Sequence, residues 1–301
     1  MILGVDIGGT EVKLALMDHD GNIHARFSRS VNFDGYATPV MDTVISACRD
    51  ALASSPCPPE GIAVSATGQI DARTGTVIGT NGAIPGYEGT PIRSRLEQAF
   101  GVPARVLNDA NAAALGEYFL GAGRGYQDLL MITLGTGVGG GIILDGRLYQ
   151  GRLGIAGELG HFTLYQDGPR CTCGKRGCFE NYASTSALVR RAGASNGREV
   201  FERASAGDPD MLRALDAWTD DVAAGITGLV HIFSPQLILI GGGVSVQEKL
   251  LIRPLEEKIL HGVMPRFAEH LEVRRALLGN DAGLAGALKF FLDETCAGTS
   301  A

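Results

Sequence analysis

The chain opens on an apolar run, Ile2 to Ile7, interrupted only by Gly4 and Asp6. Gly8-Gly9-Thr10 bounds it, and a second apolar-rich stretch runs from Val12 to Met17, so the pattern predicts two strands joined by a tight turn. His19-Asp20-Gly21-Asn22 is a turn sequence leading into a third strand, Ile23 to Val31. A helical stretch follows from about Thr38 to Leu52, and Pro56-Cys57-Pro58-Pro59 stops it. Next come a buried-looking strand at Gly61 to Ala66 and a short helix near Pro91–Phe100. The strand Ala104–Leu107 then meets the next helix at Asn108-Asp109.

The second half begins the same way. Leu129–Leu134 is an apolar strand, Gly135 to Gly141 reads as a glycine turn, and Ile142–Leu144 resumes as a strand. Laid on each other without a gap, Ile7 pairs with Leu134, Gly8 with Gly135, Thr10 with Gly137 and Asp18 with Asp145. Chance likeness between two glycine hairpins is the plain alternative. The economical account is an internal repeat of one supersecondary unit, giving a duplicated α/β fold of two lobes whose glycine turns face a central cleft. Met211 to Phe233 is helical and largely apolar, Leu237–Ile240 is a strand, and Gly241-Gly242-Gly243 leads into another helix. A last helix, about Ala282 to Asp293, is expected to pack back on the first lobe. The lobes are therefore predicted as 1–117, completed by about 282–301, and 118–281 with a loop at 161–180. The tail after Thr295 is expected to fray.

Composition narrows the class of protein. Of 301 residues, 45% are hydrophobic and 20% charged, which is globular and leaves no sign of extended disorder. A net charge of -7 gives no basic field for nucleic acid or anionic lipid, so neither is expected as a partner. The N-terminal apolar run is too short for a signal segment or a membrane span, and a cytoplasmic protein is expected. Of six cysteines, Cys48, Cys57 and Cys296 read as ordinary thiols, while Cys171-Thr-Cys173-Gly-Lys-Arg-Gly-Cys178 has metal-binding spacing.

Convergent backbone N–H groups without side chains bind phosphate well, and glycine supplies them. Three glycine turns each follow an apolar strand: Gly8-Gly9-Thr10, Gly135-Thr136-Gly137 and Gly241-Gly242-Gly243. Gly135, Gly137 and Gly140 match a dinucleotide fingerprint, but that motif needs a helix directly afterwards, where a strand is predicted. The P-loop pattern is absent. Asp6 reads either as a cap for its turn or as a ligand of the Mg²⁺ that accompanies ATP, and the neighbouring turn favours the ligand.

Asn108 and Asp109 stand at a strand end entering an Ala-rich helix. Either could simply cap that helix. Beside phosphate turns, Asp109 could instead accept the proton of an attacking alcohol that Asn108 orients. Glu117, two turns on, is expected to face solvent or the interface between lobes. His161 with Cys171, Cys173 and Cys178 forms a closed three-sulfur, one-nitrogen set, which points to structural rather than catalytic zinc. Glu158 and Glu180 bracket this loop. Each is either a surface acid or an acceptor of sugar hydroxyls, with the second ring nitrogen of His161 a possible donor.

Taken in order, six segments resemble the ROK family of sugar kinases, repressors and open-reading-frame proteins. They are Asp6 to Thr10, Asn108 to Glu117, Leu134 to Gly141, Ala156 to His161, the cysteine loop through Glu180, and Ile240 to Val244. The resemblance implies an actin-like ATPase fold, Mg-ATP as phosphoryl donor, and Asp109 as base toward the 6-hydroxyl of a sugar. It implies sugar contacts from Asn81, Asn108, Glu158, His161 and Glu180, and a homodimer. Glu11 stands where many members have Lys, and Lys13 either replaces it at the ATP site or faces elsewhere. Thr67 precedes Gly68 where many members carry proline. Glucose, mannose, fructose, N-acetylmannosamine, N-acetylglucosamine and β-glucosides all suit such acceptors; an aldohexose is expected first. A repressor would need a helix-turn-helix before the first strand and a zinc hydrolase an open ligand position; a sugar sensor that binds without turnover is the alternative of another class, and Asp109 argues against it.

Overall fold

The computed structural model describes residues 1–80 and 82–298, so Asn81 lies outside the described residues. The chain divides into two compact units, the first comprising residues 1–121, 150–156 and the chain from 280 on. Its strands are β1 (Ile2–Ile7), β2 (Glu11–Met17), β3 (Ile23–Ser30), β4 (Gly61–Ala66) and β7 (Ala104–Asn108), in the sheet order β3-β2-β1-β4-β7. β1 pairs antiparallel with β2 and parallel with β4. A small hairpin, β5 (Gln69–Asp71) and β6 (Thr76–Gly79), stands apart from this sheet. The helices are α1 (Val40–Ala53), α2 (Ile92–Phe100) and α3 (Asp109–Leu120).

The second unit comprises residues 122–149 and 157–279. Its sheet runs β10-β9-β8-β11-β12, from β8 (Leu129–Leu134), β9 (Val138–Leu144), β10 (Arg147–Leu148), β11 (Leu237–Gly241) and β12 (Glu272–Arg275). β8 pairs antiparallel with β9 and parallel with β11, as β1 does with β2 and β4. The duplicated topology is thus present in both sheets. The turns differ by a residue, however. Ile7 pairs with Val12, but Leu134 pairs with Val138, so the gap-free matching of the halves slips beyond the turn. Gly139, Gly140 and Gly141, read as turn from sequence, lie within β9, where Leu159 packs too close for a side chain at position 140. Helices α4 (Glu180–Ala183), α5 (Thr185–Ala192), α6 (Gly197–Ser205), α7 (Pro209–Phe233), α8 (Arg253–Gly262) and α9 (Pro265–Ala268) complete the unit. Trp218 on α7 is fully buried in its core.

The last helix, α10 (Ala282–Gly298), returns to the first unit. Its Leu284, Leu288 and Phe291 pack with Ile2, Met17 and Ala63 on one sheet face, while Leu3, Val5 and Ile7 join the core that includes α1. The sheet is covered on both faces, which is why β1 and β4 read as continuous apolar runs. α10 lies against α3 through small residues. A side chain on Gly116 would strike the Ala282 carbonyl, and one on Gly286 the Ala112 carbonyl. The neighbours are backbone and have nowhere to turn, so Gly116→Ala is expected to cost about 1–3 kcal/mol, read as a lowered urea midpoint at unchanged slope.

Candidate active site

The double coverage of β1 places Asp6 on the face beneath α10. One strand away, the Ser65 hydroxyl donates to Asp6 Oδ1 at 2.7 Å, and Lys13 is the register partner of Asp6 on β2. A Cβ on Gly283 would lie 3.0 Å from Ser65 Oγ and 3.1 Å from Asp6 Oδ1, so α10 leaves room for the pair only by having glycine there. Burial, the largest influence, raises the Asp6 carboxyl above its ordinary value, against the lowering effects of the Ser65 bond and the Lys13 charge. A partly desolvated carboxylate at a strand end is the oxygen donor that Mg²⁺ favours. Beyond it the turn is pinned from outside: Gly8 N–H donates to the Glu11 carbonyl at 2.9 Å and Val31 N–H to that of Thr10 at 2.9 Å. The Tyr36 hydroxyl donates to the Gly9 carbonyl at 2.5 Å.

In the same unit, β7 runs into α3 through Asn108, which caps the helix. Its Oδ1 accepts from the N–H groups of Ala110 (3.0 Å) and Asn111 (3.1 Å). Its Nδ2 donates to the Gly68 carbonyl (2.8 Å) and to Asp109 Oδ1 (3.0 Å), and the latter atom also accepts from Ala110 N–H at 2.8 Å. Of the two capping candidates, Asn108 is the cap. Its amide orients the Asp109 carboxylate, which stands in the first helical turn where the macrodipole favours negative charge. Glu117, expected to face solvent or the interface between lobes, is fully buried and so does not face solvent.

The second unit holds the other two glycine turns side by side, at the carboxyl ends of the paired strands β8 and β11. Gly242 has φ +89°, and a Cβ there would strike the Leu134 carbonyl. Gly135 N–H closes the first turn on the Gly137 carbonyl at 3.0 Å. Among the described residues, the N–H groups of Thr136 and Gly137 find no acceptor. A strand, β9, follows this turn, which removes the dinucleotide fingerprint reading.

Nearby in this unit, His161, Cys171, Cys173 and Cys178 bring one donor atom each to within 4.8 Å of one another. Cys171 Sγ lies 3.6 Å from His161 Nδ1, and Cys173 Sγ lies 3.5 Å from Cys178 Sγ. The edges of a zinc tetrahedron with three sulfurs and one nitrogen are roughly 3.5–3.8 Å, so the set fits such an ion. Burial pushes the Cys178 thiol up to about 12, followed by its sulfur neighbours; a bound metal would reverse that preference by taking the thiolate. Nδ1 is turned to the sulfurs, and His161 Nε2 lies 3.9 Å from Glu158 Oε2. Glu180, the first residue of α4, accepts the Val138 N–H at 2.9 Å on Oε2.

Residues 2–294 match the ROK family. The chain belongs to that family. It is 34% identical to a glucokinase of Thermotoga maritima over 95% of each chain. It is also 34% identical to a β-glucoside kinase of Klebsiella pneumoniae, over 96% of this chain and 95% of that one. Among solved structures, a ROK family glucokinase from Streptomyces griseus, in complex with glucose and AMPPNP, aligns with a TM-score of 0.83 at 35% identity, covering 96% of this chain and 98% of the other. The two mixed sheets are therefore the actin-like ATPase fold of the ROK proteins, and the class of protein is an ATP-dependent sugar kinase. Among the described residues, no helix is long and apolar enough to cross a membrane.

For a ROK protein, the motif residues fall into two sets. Asp6, Gly8, Gly9, Thr10, Lys13, Asn108 and Asp109 lie in the first unit; the remaining turns, Glu158, His161 and Glu180 lie in the second. Several supporting residues escaped the sequence pattern. Ser65 was visible only as one polar position in an apolar strand. Thr185 and Ser186, which bond the turn at Gly135 and Thr136, gave no signal at all.

Two outcomes follow. Protein purified without chelator is expected to carry about one zinc per chain, and Cys178→Ser to lose it with a fall in melting temperature, both checked by metal analysis and thermal denaturation. The second concerns Asp6. Its folded-state carboxyl is raised, so its contribution to stability is fully present below 3.8 and is lost as pH rises through the folded value. Asp6→Asn keeps an acceptor for Ser65 but has no charge to desolvate. The variant should therefore be more stable than the wild type at pH 7 and lose that advantage toward pH 3.5, as followed by urea titration across pH.

Proposed function

We propose that this kinase transfers the γ-phosphoryl group of Mg-ATP to the 6-hydroxyl of glucose in the cytoplasm. The observation that carries the reading is Asp109: a carboxylate in the first turn of α3, held on one oxygen by the Asn108 amide and the Ala110 N–H. In this reading Asp109 takes the proton of the 6-hydroxyl as that oxygen bonds to the γ-phosphorus. The bond from phosphorus to the β–γ bridging oxygen breaks, and ADP leaves.

The two units supply different parts. In the first, Asp6 accompanies the metal of the nucleotide, and the Gly8-Gly9-Thr10 turn and Lys13 serve its phosphates. In the second, the turns at Gly135–Gly137 and Gly241–Gly243 hold the nucleotide by their backbone donors. Glu158 and Glu180 accept sugar hydroxyls, and His161 donates from Nε2 while zinc holds Nδ1. Asn81 joins them by family resemblance. Asn108 works through Asp109, since its amide and carbonyl already serve the cap and the carboxylate. Zinc, when bound, neutralises the thiolates and fixes the loop; the three-sulfur, one-nitrogen donor set supports that ion.

Glucose is favoured by the glucokinase relatives, while equal identity to a β-glucoside kinase makes that substrate the second reading. A coupled ADP-release assay against glucose, mannose, fructose, the N-acetylated hexosamines and a β-glucoside tests the choice. Turnover is expected to be fastest with glucose. Asp109→Asn is expected to lower kcat by about 10²–10⁴ while calorimetry finds sugar affinity within a few-fold. Wild-type turnover in that variant would sink the base assignment.

A further inference from the structure

The proposed sugar acceptor Glu180 and the proposed phosphate turn touch each other. Glu180 Oε2 takes the Val138 N–H at 2.9 Å, and Gly137 owes its missing side chain to this carboxylate, since a Cβ there would lie against Oε2. The contact belongs to a strap running from Glu180 to Ser186. Thr185 N–H donates to the Gly135 carbonyl at 2.8 Å, its hydroxyl to the Leu134 carbonyl at 3.2 Å, and the Ser186 hydroxyl to the Thr136 carbonyl at 2.9 Å. Two anchors hold the strap to α7. Buried Phe179 fills a notch that Gly225 leaves open, and Trp218 Nε1–H donates to the Ser184 carbonyl at 3.2 Å.

Electrostatics gives this geometry a consequence. The turn offers the Thr136 and Gly137 N–H groups, and the carboxylate stands at the very next donor, Val138. A triphosphate approaching the turn meets a negative charge within a few residues of its ligands. Sugar hydroxyls donating to Glu180 would spread that charge into hydrogen bonds. We propose that Glu180 is a positioning residue of the nucleotide turn, whose charge holds nucleotide affinity down until sugar occupies the same carboxylate, with Ser186 fixing the shape of the turn. The proposal rests on reading Glu180 as a sugar acceptor and Gly135–Gly137 as a phosphate turn. It makes sugar and nucleotide bind with positive coupling, and it restrains ATP hydrolysis in the absence of sugar.

The test is calorimetric titration of the full-length, zinc-loaded protein with Mg-AMPPNP. Glu180→Gln keeps an acceptor for Val138 N–H and removes only the charge. It is expected to bind Mg-AMPPNP roughly tenfold more tightly than the wild type without sugar, a gain that damage to the fold would not give. Ser186→Ala is expected to weaken Mg-AMPPNP several-fold with sugar affinity unchanged, and Ser186→Thr to restore it. In the wild type, a saturating amount of the sugar that turns over should tighten Mg-AMPPNP by a similar factor, and in Glu180→Gln that effect should vanish. Unchanged or weaker Mg-AMPPNP binding by Glu180→Gln, at wild-type zinc content and melting temperature, overturns the proposal and leaves the kinase reading standing. If Glu180→Gln does not fold, unchanged nucleotide affinity in Ser186→Ala overturns it. Absence of Mg-AMPPNP binding in the wild type overturns the kinase reading itself.

Discussion

Four side chains, His161, Cys171, Cys173 and Cys178, converge within a stretch of chain that has almost no regular structure of its own. Around it are a 3₁₀ turn at Leu159–His161 and the isolated pairings of Thr163 with Cys178 and Arg170 with Arg176. Ordering backbone costs about 1–2 kcal/mol per residue. The apolar return here is small: Phe162 stacked on Phe179 at 5.1 Å and Tyr165 edge-on to Tyr182 at 4.8 Å. A zinc ion bound by such a thiolate and imidazole set would contribute about 10–16 kcal/mol toward that cost. Glu158 lies three residues before the first of these side chains and Glu180 two after the last.

From Cys178 onward the chain runs to the proposed nucleotide turn without leaving the second unit. Phe179 is locked into α7, Glu180 meets Val138, and Thr185 with Ser186 grips the carbonyls of residues 134–136. These bonds, part-buried at Val138 and Leu134 and exposed at Thr136, tie the strap to the turn at several successive residues. A loop far from the sheet in sequence thereby shapes the end of β8.

The two units repeat one sheet topology and differ in what stands at the strand ends. Asp6 closes β1, with Ser65 and Lys13 on either side, whereas Thr133 occupies the matching place on β8. The second unit instead has two adjacent glycine turns and no acid at that strand end. The repeat thus places a glycine turn after the first strand of each sheet, with different side chains beside it. The small-residue seam between α3 and α10 serves the first unit alone, bringing α10 close enough that Gly283 leaves Asp6 and Ser65 room to bond.

Short-range pattern carried a large share of this. The bounds of β1, β4 and β8 follow from continuous apolar runs, the glycine turns from their composition, the helix start at Asn108 from a capping residue at a strand end, and the metal set from cysteine spacing. Each is a property of a few neighbouring residues, settled by local backbone geometry and burial. Edge strand β12 was invisible because Glu272–Arg275 has a single buried side chain, Val273, and β9 was shortened because its glycines imitate a turn. The partners of the functional groups were beyond the sequence altogether. Ser65 meets Asp6 across 59 residues and Glu180 meets Val138 across 42. Glu117 on α3 is fully buried, which its polar side chain did not signal. Sequence alone determined which groups could bind phosphate, metal and sugar. Strand register and helix docking decided which of them touch, since a hydrogen bond needs two groups within about 3 Å, and only the assembled sheets set that distance.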